Sequence, residues 1–180
     1  MGVKLLINNL KNCIAAKQPL QMGNVLKKHA PTLPQLEPYI FFSQKKHTRN
    51  LIYKNELFEL VLFCWAPGHA TSIHDHDKQY GYAMVIDGVL RVTNYELNEQ
   101  GSLTFLNTME IKKGDVDGPV GIHRIANTSQ DKAISLHVYS APLTKMQIYS
   151  DDLKYLRKYY LNYTSMYGKS MYSNKKDNNN

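Results

Sequence analysis

The spacing of apolar positions changes character once along the chain. Near the start, Val3, Leu6, Ile7, Leu10, Cys13 and Ile14 fall on one stripe of an amphipathic helix. After Pro19, Asn24 to His29 reads as a second, short helix, with Asn24 as its N-cap and Pro31 as its stop. His29 is then a cation at a helix C-terminus, where the free carbonyls favour one. Pro34 and Pro38 bracket a turn-rich connection. From Tyr39 onward the runs become short and β-prone: YIFF, RNLIY, LFELVLFCW, SIHDH, GYAMVI, VLRVTNYEL, SLTFLN, MEIKK, RIAN and AISLHVYS, punctuated by Gly, Asn and Asp. With no helical crossovers between them, these runs predict an antiparallel barrel or sandwich rather than a parallel βαβ sheet. YYLNYTSMY reads as a last strand whose tyrosines pack, and the low-complexity SNKKDNNN as a disordered end.

Length and composition bound this picture. The 180 residues suit one domain with a single substantial core. No apolar run is long enough to span a membrane, and VKLLI lacks the length and cleavage site of a signal peptide. The Met-Gly start has Leu6 where a myristoylation signal wants Ser or Thr. Cys13 and Cys64 make neither a disulfide framework nor a zinc spacing, so the cytoplasm is the expected compartment. The net charge of +7 is spread over pairs such as Lys27-Lys28 and Lys45-Lys46, without a stripe or Arg–aromatic interleaving. That excludes a nucleic-acid surface as the main reading but leaves a field that can draw in a small anion.

The candidate chemistry sits between Gly68 and Gly88. His74 and His76 are separated by one residue, so on an extended strand they share a face while Asp75 points away. The β-prone YAMVI follows, and Asp87-Gly88 makes a tight hairpin into VLRVTNY. A lone His-x-His is as easily a polar surface pair as a metal site, so a third ligand is needed. His123, after the turn formers Gly114, Gly118, Pro119 and Gly121, is the candidate.

These residues resemble the two motifs of the cupin superfamily: Gly68, His74, His76 and Gly88 the first, and Gly114, Pro119, Gly121, His123 and Asn127 the second. Two gaps of the second motif are one residue short. The resemblance implies a single small antiparallel β-barrel or jelly roll with short N-terminal helices, an all-β dominated fold. The expected layout is a cupin domain over 1–168, helical over 1–38 and barrel from about 39, with a disordered tail over 169–180. Where the first cupin motif supplies a glutamate ligand, this chain has Gly81, which leaves three imidazoles. Imidazoles suit iron, zinc, copper or nickel, and open positions on one face suit a metal that brings substrate and oxygen together. A zinc hydrolase could use the same set.

CWAPGHATSIHDH, IHRIAN, SLHVYSAP and HTRNLIY, spread from His47 to Tyr149, resemble the thiol dioxygenases and within them cysteine dioxygenase. That resemblance implies Fe(II) on His74, His76 and His123, with L-cysteine and O2 as the small-molecule partners and sulfinate as the product. No nucleic-acid or membrane partner is expected, and the assembly is read as a monomer. By pattern alone, Ser135, His137 and Tyr139 alternate with Ile134, Leu136 and Val138, putting a polar face inward that needs internal hydrogen bonds. This could be a buried structural network; the resemblance makes Tyr139 the hydrogen-bond partner of substrate or oxygen, with Ser135 and His137 behind it. Arg49, otherwise an ordinary arginine before a strand, would by resemblance pair bidentately with the substrate carboxylate, and His47 would share its face. Trp65 reads as packing and His69 as a loop or supporting residue.

Two departures from the animal enzymes stand out. Gly81 also occupies the place of the cysteine that crosslinks to the active-site tyrosine, so Tyr139 is expected to be unmodified and Cys64 a buried strand residue. Ser140-Ala141-Pro142 replaces a Ser-Pro-Pro with a cis bond, which Ala141 would make costly. Other readings are dioxygenation of 3-mercaptopropionate or cysteamine, a non-redox metal cupin, and a small-molecule sensor.

Overall fold

In the computed structural model the helical stripe lies where its spacing puts it. Helix α1 spans Gly2–Ala15 and buries Leu6, Leu10 and Cys13. Helix α2 spans Met22–His29 and starts two residues before Asn24, following a 3-10 turn at Pro19–Gln21. Asn24 therefore caps nothing and instead donates its side-chain amide to Gln21. The Pro-rich connection contains one further helical turn, α3 (Leu33–Leu36), closed by a capping box between Thr32 and Gln35. The structure describes residues 2–119, 121–150 and 152–171. No helix among them is long and apolar enough to cross a membrane.

The strands are β1 (Thr48–Lys54), β2 (Phe58–Trp65), β3 (Ile73–His74), β4 (Gly81–Asp87), β5 (Val89–Leu97), β6 (Leu103–Lys112), β7 (Val116–Asp117), β8 (Ile122–Ala126), β9 (Ala133–Ser140), β10 (Lys145–Tyr149), β11 (Tyr155–Tyr160), β12 (Ser165–Met166) and β13 (Lys169–Ser170). They form two sheets, ordered β13-β12-β1-β2-β9-β4-β7 and β11-β10-β3-β8-β5-β6. The architecture is a jelly roll of two layers and not a closed cylinder, which settles the barrel alternative. Pairing is antiparallel throughout, apart from the parallel contact of β1 with β12. YIFF, expected as a strand, runs outside the sheets, with Tyr39 ending a 3-10 turn, and SLTFLN and MEIKK join into the single strand β6. The expected tail boundary falls inside a short hairpin, because Ser165 and Met166 pair with Ser170 and Lys169. The rest of that tail, 172–180, lies outside the described residues.

Strand β2 is buried along its whole length and β9 along all but its last residue, Ser140, because their sheet is covered on both faces. On the outer face Leu60, Leu62, Cys64, Leu136 and Val138 pack with Leu6, Leu10, Met22 and Leu26 of the helices. On the inner face Val61, Phe63, Trp65 and Val85 meet Leu90, Val92 and Ile125 of the other sheet. The helices press close: a Cβ on Gly23 would lie 2.7 Å from the Tyr82 ring. The Asp87-Gly88 hairpin is built as expected, with Gly88 at a φ of +79° and no room for a Cβ beside the Lys132 carbonyl.

Among the described residues the cis peptide bond is Gly118–Pro119, and Ser140–Ala141 is trans. Ala141 instead turns the chain through a left-handed φ of 59°, donating its N–H to the Leu57 carbonyl. That turn redirects the chain from β9 towards β10.

Candidate metal centre

The inner face of the helix-backed sheet can be read row by row from its register. Arg49 pairs with Phe63, and Phe63 with Ser135; Val61 pairs with His137; Glu59 pairs with Tyr139, and Tyr139 with Gly81. Period-two alternation therefore places Arg49, Glu59, Ser135, His137 and Tyr139 on one inward face. Across the gap, the other sheet contributes the three histidines. His74 on β3 sits directly opposite His123 on β8, and His76 follows two residues later. Their ligating atoms lie within 4.8 Å of one another, and all three side chains are buried. The Tyr139 ring stacks 5.8 Å from that of His76, so the two sheets meet at this point.

Two of the three rings are oriented by their other nitrogen, as metal-ligating imidazoles usually are. His74 Nδ1 donates to the Ser72 carbonyl and His76 Nδ1 to the Gly121 carbonyl, both at 2.9 Å, which leaves Nε2 free. His123 Nδ1 has no hydrogen bond and lies 3.8 Å from a carboxylate oxygen of Asp117, itself unpartnered. Burial pushes the Asp117 carboxyl upward. Burial also drives all three imidazoles to the neutral form, with repulsion from neighbouring histidines adding to it at His76, lowered to about 3, and at His123, which lies well below the usual range. Neutral imidazoles with free lone pairs are the state a metal binds, so the chemistry of the donor set fits a transition metal. Asp75 is not in this set; its carboxylate accepts the Gln147 N–H and braces β10.

The same burial makes the metal-free protein acid-sensitive. Because the folded pKa of His76 is depressed from an ordinary 6.5, the unfolded chain takes up the proton first as pH falls below 6.5, and stability drops down to about pH 3. At pH 5 His76 alone is expected to cost about 2 kcal/mol relative to pH 7.5. His47, lowered to about 4 mainly by burial, adds to the loss in the same direction. Thermal melts of the metal-free protein between pH 7.5 and 5 check this; a flat profile refutes it.

Behind Tyr139 runs a chain of hydrogen bonds. The Trp65 indole N–H donates to Ser135 Oγ at 2.9 Å, Ser135 lies 2.7 Å from His137 Nε2, and His137 Nδ1 lies 3.2 Å from the Tyr139 hydroxyl. An indole N–H can only donate, so Ser135 accepts there and its own proton is available to His137 Nε2. His137, held neutral by burial, then donates from Nδ1 to Tyr139, leaving the phenol's proton for the site. Trp65, expected only to pack, thus anchors the chain. Burial holds the Tyr139 phenol well above its ordinary range, hence protonated.

Arg49 is 6% exposed, and its guanidinium is already partly engaged. Nη2 donates to Glu59 at 2.5 Å and to the Leu143 carbonyl at 3.2 Å, while Nη1 is buried without a partner. The expected two-toothed grip is thereby reduced to what Nη1 can offer. His47 stacks on Trp65 at 4.9 Å and on Phe63 at 5.9 Å, on the face of Arg49, and its Nδ1 is also unpartnered. A cavity of about 320 Å³ opens here, lined by His47, Arg49, Ser72, Ile148, Arg157 and Tyr163 among others. Ile148 pairs with His74 in register, so the cavity adjoins the triad.

Sequence reasoning missed Glu59, Tyr163 and Asp117. Glu59 was legible as the one charge in an otherwise apolar buried strand, LFELVLFCW. Tyr163, expected to pack, donates to Glu59 Oε2 and lies under the Arg49 guanidinium at 4.9 Å. His69 has the loop role expected of it, accepting the Ala66 N–H. Gly81 faces Tyr139, and both cysteines pack in the helix-side cluster on the opposite face of the sheet. Burial pushes the Cys64 thiol up to about 11, an unreactive state.

Comparison with known proteins agrees with this geometry. The family described as cysteine dioxygenase type I matches residues 25–152. Cysteine dioxygenase type 1 of Rattus norvegicus is 28% identical over 137 residues, covering 72% of this chain and 68% of the rat protein. The Danio rerio cysteine dioxygenase type 1 is 24% identical over 156 residues, 82% of this chain and 78% of its own. Among solved structures, a Klebsiella pneumoniae protein with a double-stranded β-helix domain aligns with a TM-score of 0.50 at 17% identity, over 63% of this chain and 87% of its own, a likeness of fold.

Proposed function

The chain belongs to the cysteine dioxygenase type I family, and on that premise we propose that it oxidises L-cysteine with molecular oxygen to cysteine sulfinic acid, with ferrous iron as its metal. The observation that carries the reading is the buried triad of neutral imidazoles without a carboxylate, facing an arginine with a free donor. His74, His76 and His123 would hold the ferrous iron, which would supply the redox chemistry that joins thiol sulfur to oxygen. The balance closes without a further reductant: the sulfur gains two oxygen atoms, and O2 is consumed whole.

The chain's own residues bind and orient. Arg49 Nη1 donates to the substrate carboxylate, fixing one end of the molecule so that the thiol reaches the triad; positioning of this kind removes much of the entropic barrier. Tyr139 presents its proton towards the reacting atoms. The bonds from Trp65 through Ser135 and His137 hold that hydroxyl in place and set the direction in which it donates. Phe63, packed 4.3 Å from the His137 ring, helps keep water from the relay. His47 forms the wall beside Arg49. The spread positive charge favours approach of an anionic substrate, with Lys46 and Arg157 lining the cavity.

Oxygen uptake by the iron-loaded protein with L-cysteine, with the product identified by mass, tests the reading. A gain of two oxygen atoms on cysteine is the expected result. With iron bound and no uptake, the assignment of L-cysteine fails, and 3-mercaptopropionate and cysteamine become the substrates to examine.

A further inference from the structure

Glu59 is fully buried beside Arg49. Its hydrogen-bond partners are all donors: Arg49 Nη2 at 2.5 Å and the Leu143 N–H at 3.1 Å on Oε1, and the Tyr163 hydroxyl on Oε2. Its strand partner is Tyr139. Arg49 meanwhile keeps Nη1 buried and unpartnered, with the Tyr163 ring against its face. Of the two terminal nitrogens of this guanidinium, Nη2 is taken by the Glu59 carboxylate and the Leu143 carbonyl, and Nη1 is left for a ligand.

We propose that Glu59, acting through Arg49, sets how tightly the site holds a ligand carboxylate, and that Tyr163 tempers Glu59 by donating to it. The inference rests on the reading that Arg49 meets a substrate carboxylate. Without Glu59, a buried Arg49 would offer a full positive charge to an incoming carboxylate. With Glu59 on the same guanidinium, the pair is neutral overall, and two carboxylates must share one cation in a medium of low dielectric. The ligand is still bound, through the free nitrogen, but less tightly. A weaker hold suits an enzyme of this kind, because a sulfinate product carries the same carboxylate and one more negative group and has to leave. Glu59 is in this sense a positioning residue with an electrostatic role: it fixes the guanidinium edge and opposes its charge.

The geometry separates this from a purely structural role by sign. In Glu59→Gln the amide oxygen can keep the bonds to Arg49 and to the Leu143 N–H, and the amide nitrogen can donate to the Tyr163 oxygen. The pose survives and only the charge goes. In Tyr163→Phe the ring stays under Arg49 but Glu59 loses a donor, so its charge is less compensated. A scaffold role predicts that both variants weaken binding; an electrostatic role predicts opposite shifts.

The experiment is calorimetric titration of L-cysteine and of cysteamine, which has the same amine and thiol but no carboxylate, into oxygen-free, iron-loaded wild type and both variants. Glu59→Gln is expected to tighten L-cysteine by about tenfold or more, Tyr163→Phe to weaken it by about two- to threefold, and cysteamine to stay within about twofold in both. Oxygen uptake with Glu59→Gln is expected to show KM and kcat for L-cysteine falling together. Unchanged or weakened L-cysteine binding in Glu59→Gln, or equal shifts for the two thiols, overturns the proposal. Wild type that takes up oxygen while Glu59→Gln fails to tighten refutes this inference alone. A carboxylate-selective shift in protein that never takes up oxygen upholds it and refutes the dioxygenase reading.

Discussion

Replacing His123 by alanine is expected to abolish metal retention and to lower turnover by about 10³-fold or more, because it removes one of three protein ligands and each bond is worth several kcal/mol at about 1.4 kcal/mol per tenfold. The fold is expected to survive. His123 is the second residue of β8, its Nδ1 has no hydrogen bond to lose, and Asp117 beside it is already unpartnered. The metal-free variant should in fact resist acid better than wild type, since one buried imidazole that must stay uncharged is gone. Metal content by elemental analysis, oxygen uptake, and melts at pH 5 and 7.5 measure the three effects separately. Metal bound with wild-type affinity would remove His123 from the ligand set.

Arg49→Gln is expected to lower kcat/KM for L-cysteine by about 10²-fold, the worth of a charge-assisted hydrogen bond in a dry site, while cysteamine, lacking the carboxylate, changes far less. The single variant has a confounding effect. Glu59 is buried and would lose its cation, and breaking such a pair destabilises by about 3–5 kcal/mol. The double variant Arg49→Gln with Glu59→Gln removes both charges together and should recover most of that stability without recovering cysteine selectivity. A double-mutant cycle on melting temperature and on kcat/KM for the two thiols separates the parts. Equal losses for cysteine and cysteamine in the stable double variant would show that Arg49 does not read the carboxylate.

Both experiments turn on residues whose legibility in the sequence differed. The histidines could be found because local pattern carries them. His-x-His on an extended strand forces two rings onto one face, and a Gly/Pro turn before His123 marks where a third is delivered. The alternation Ser135, His137, Tyr139 against Ile134, Leu136, Val138 likewise announced its polar face, and the structure places that face inward with the relay hydrogen-bonded as the spacing required. Arg49 was reached through resemblance alone, and its expected two-toothed grip did not anticipate that Glu59 occupies one nitrogen. The helix start at Met22 was missed because Asn24 looked like a cap while a 3-10 turn had already begun the coil.

By itself, then, the sequence determined what depends on neighbours a few residues apart: the helical stripe of α1, the strand periods, the hairpin at Gly88 and the polar row of β9. Tertiary structure alone decided what depends on contacts between distant segments. It set the two-layer jelly roll in place of a closed barrel, the burial of β2 on both faces, and the meeting of His74 with His123. It also brought Tyr163, 104 residues further along the chain, onto Glu59. Periodicity records which face a side chain takes, and only the packing of one sheet on another records what that face will meet.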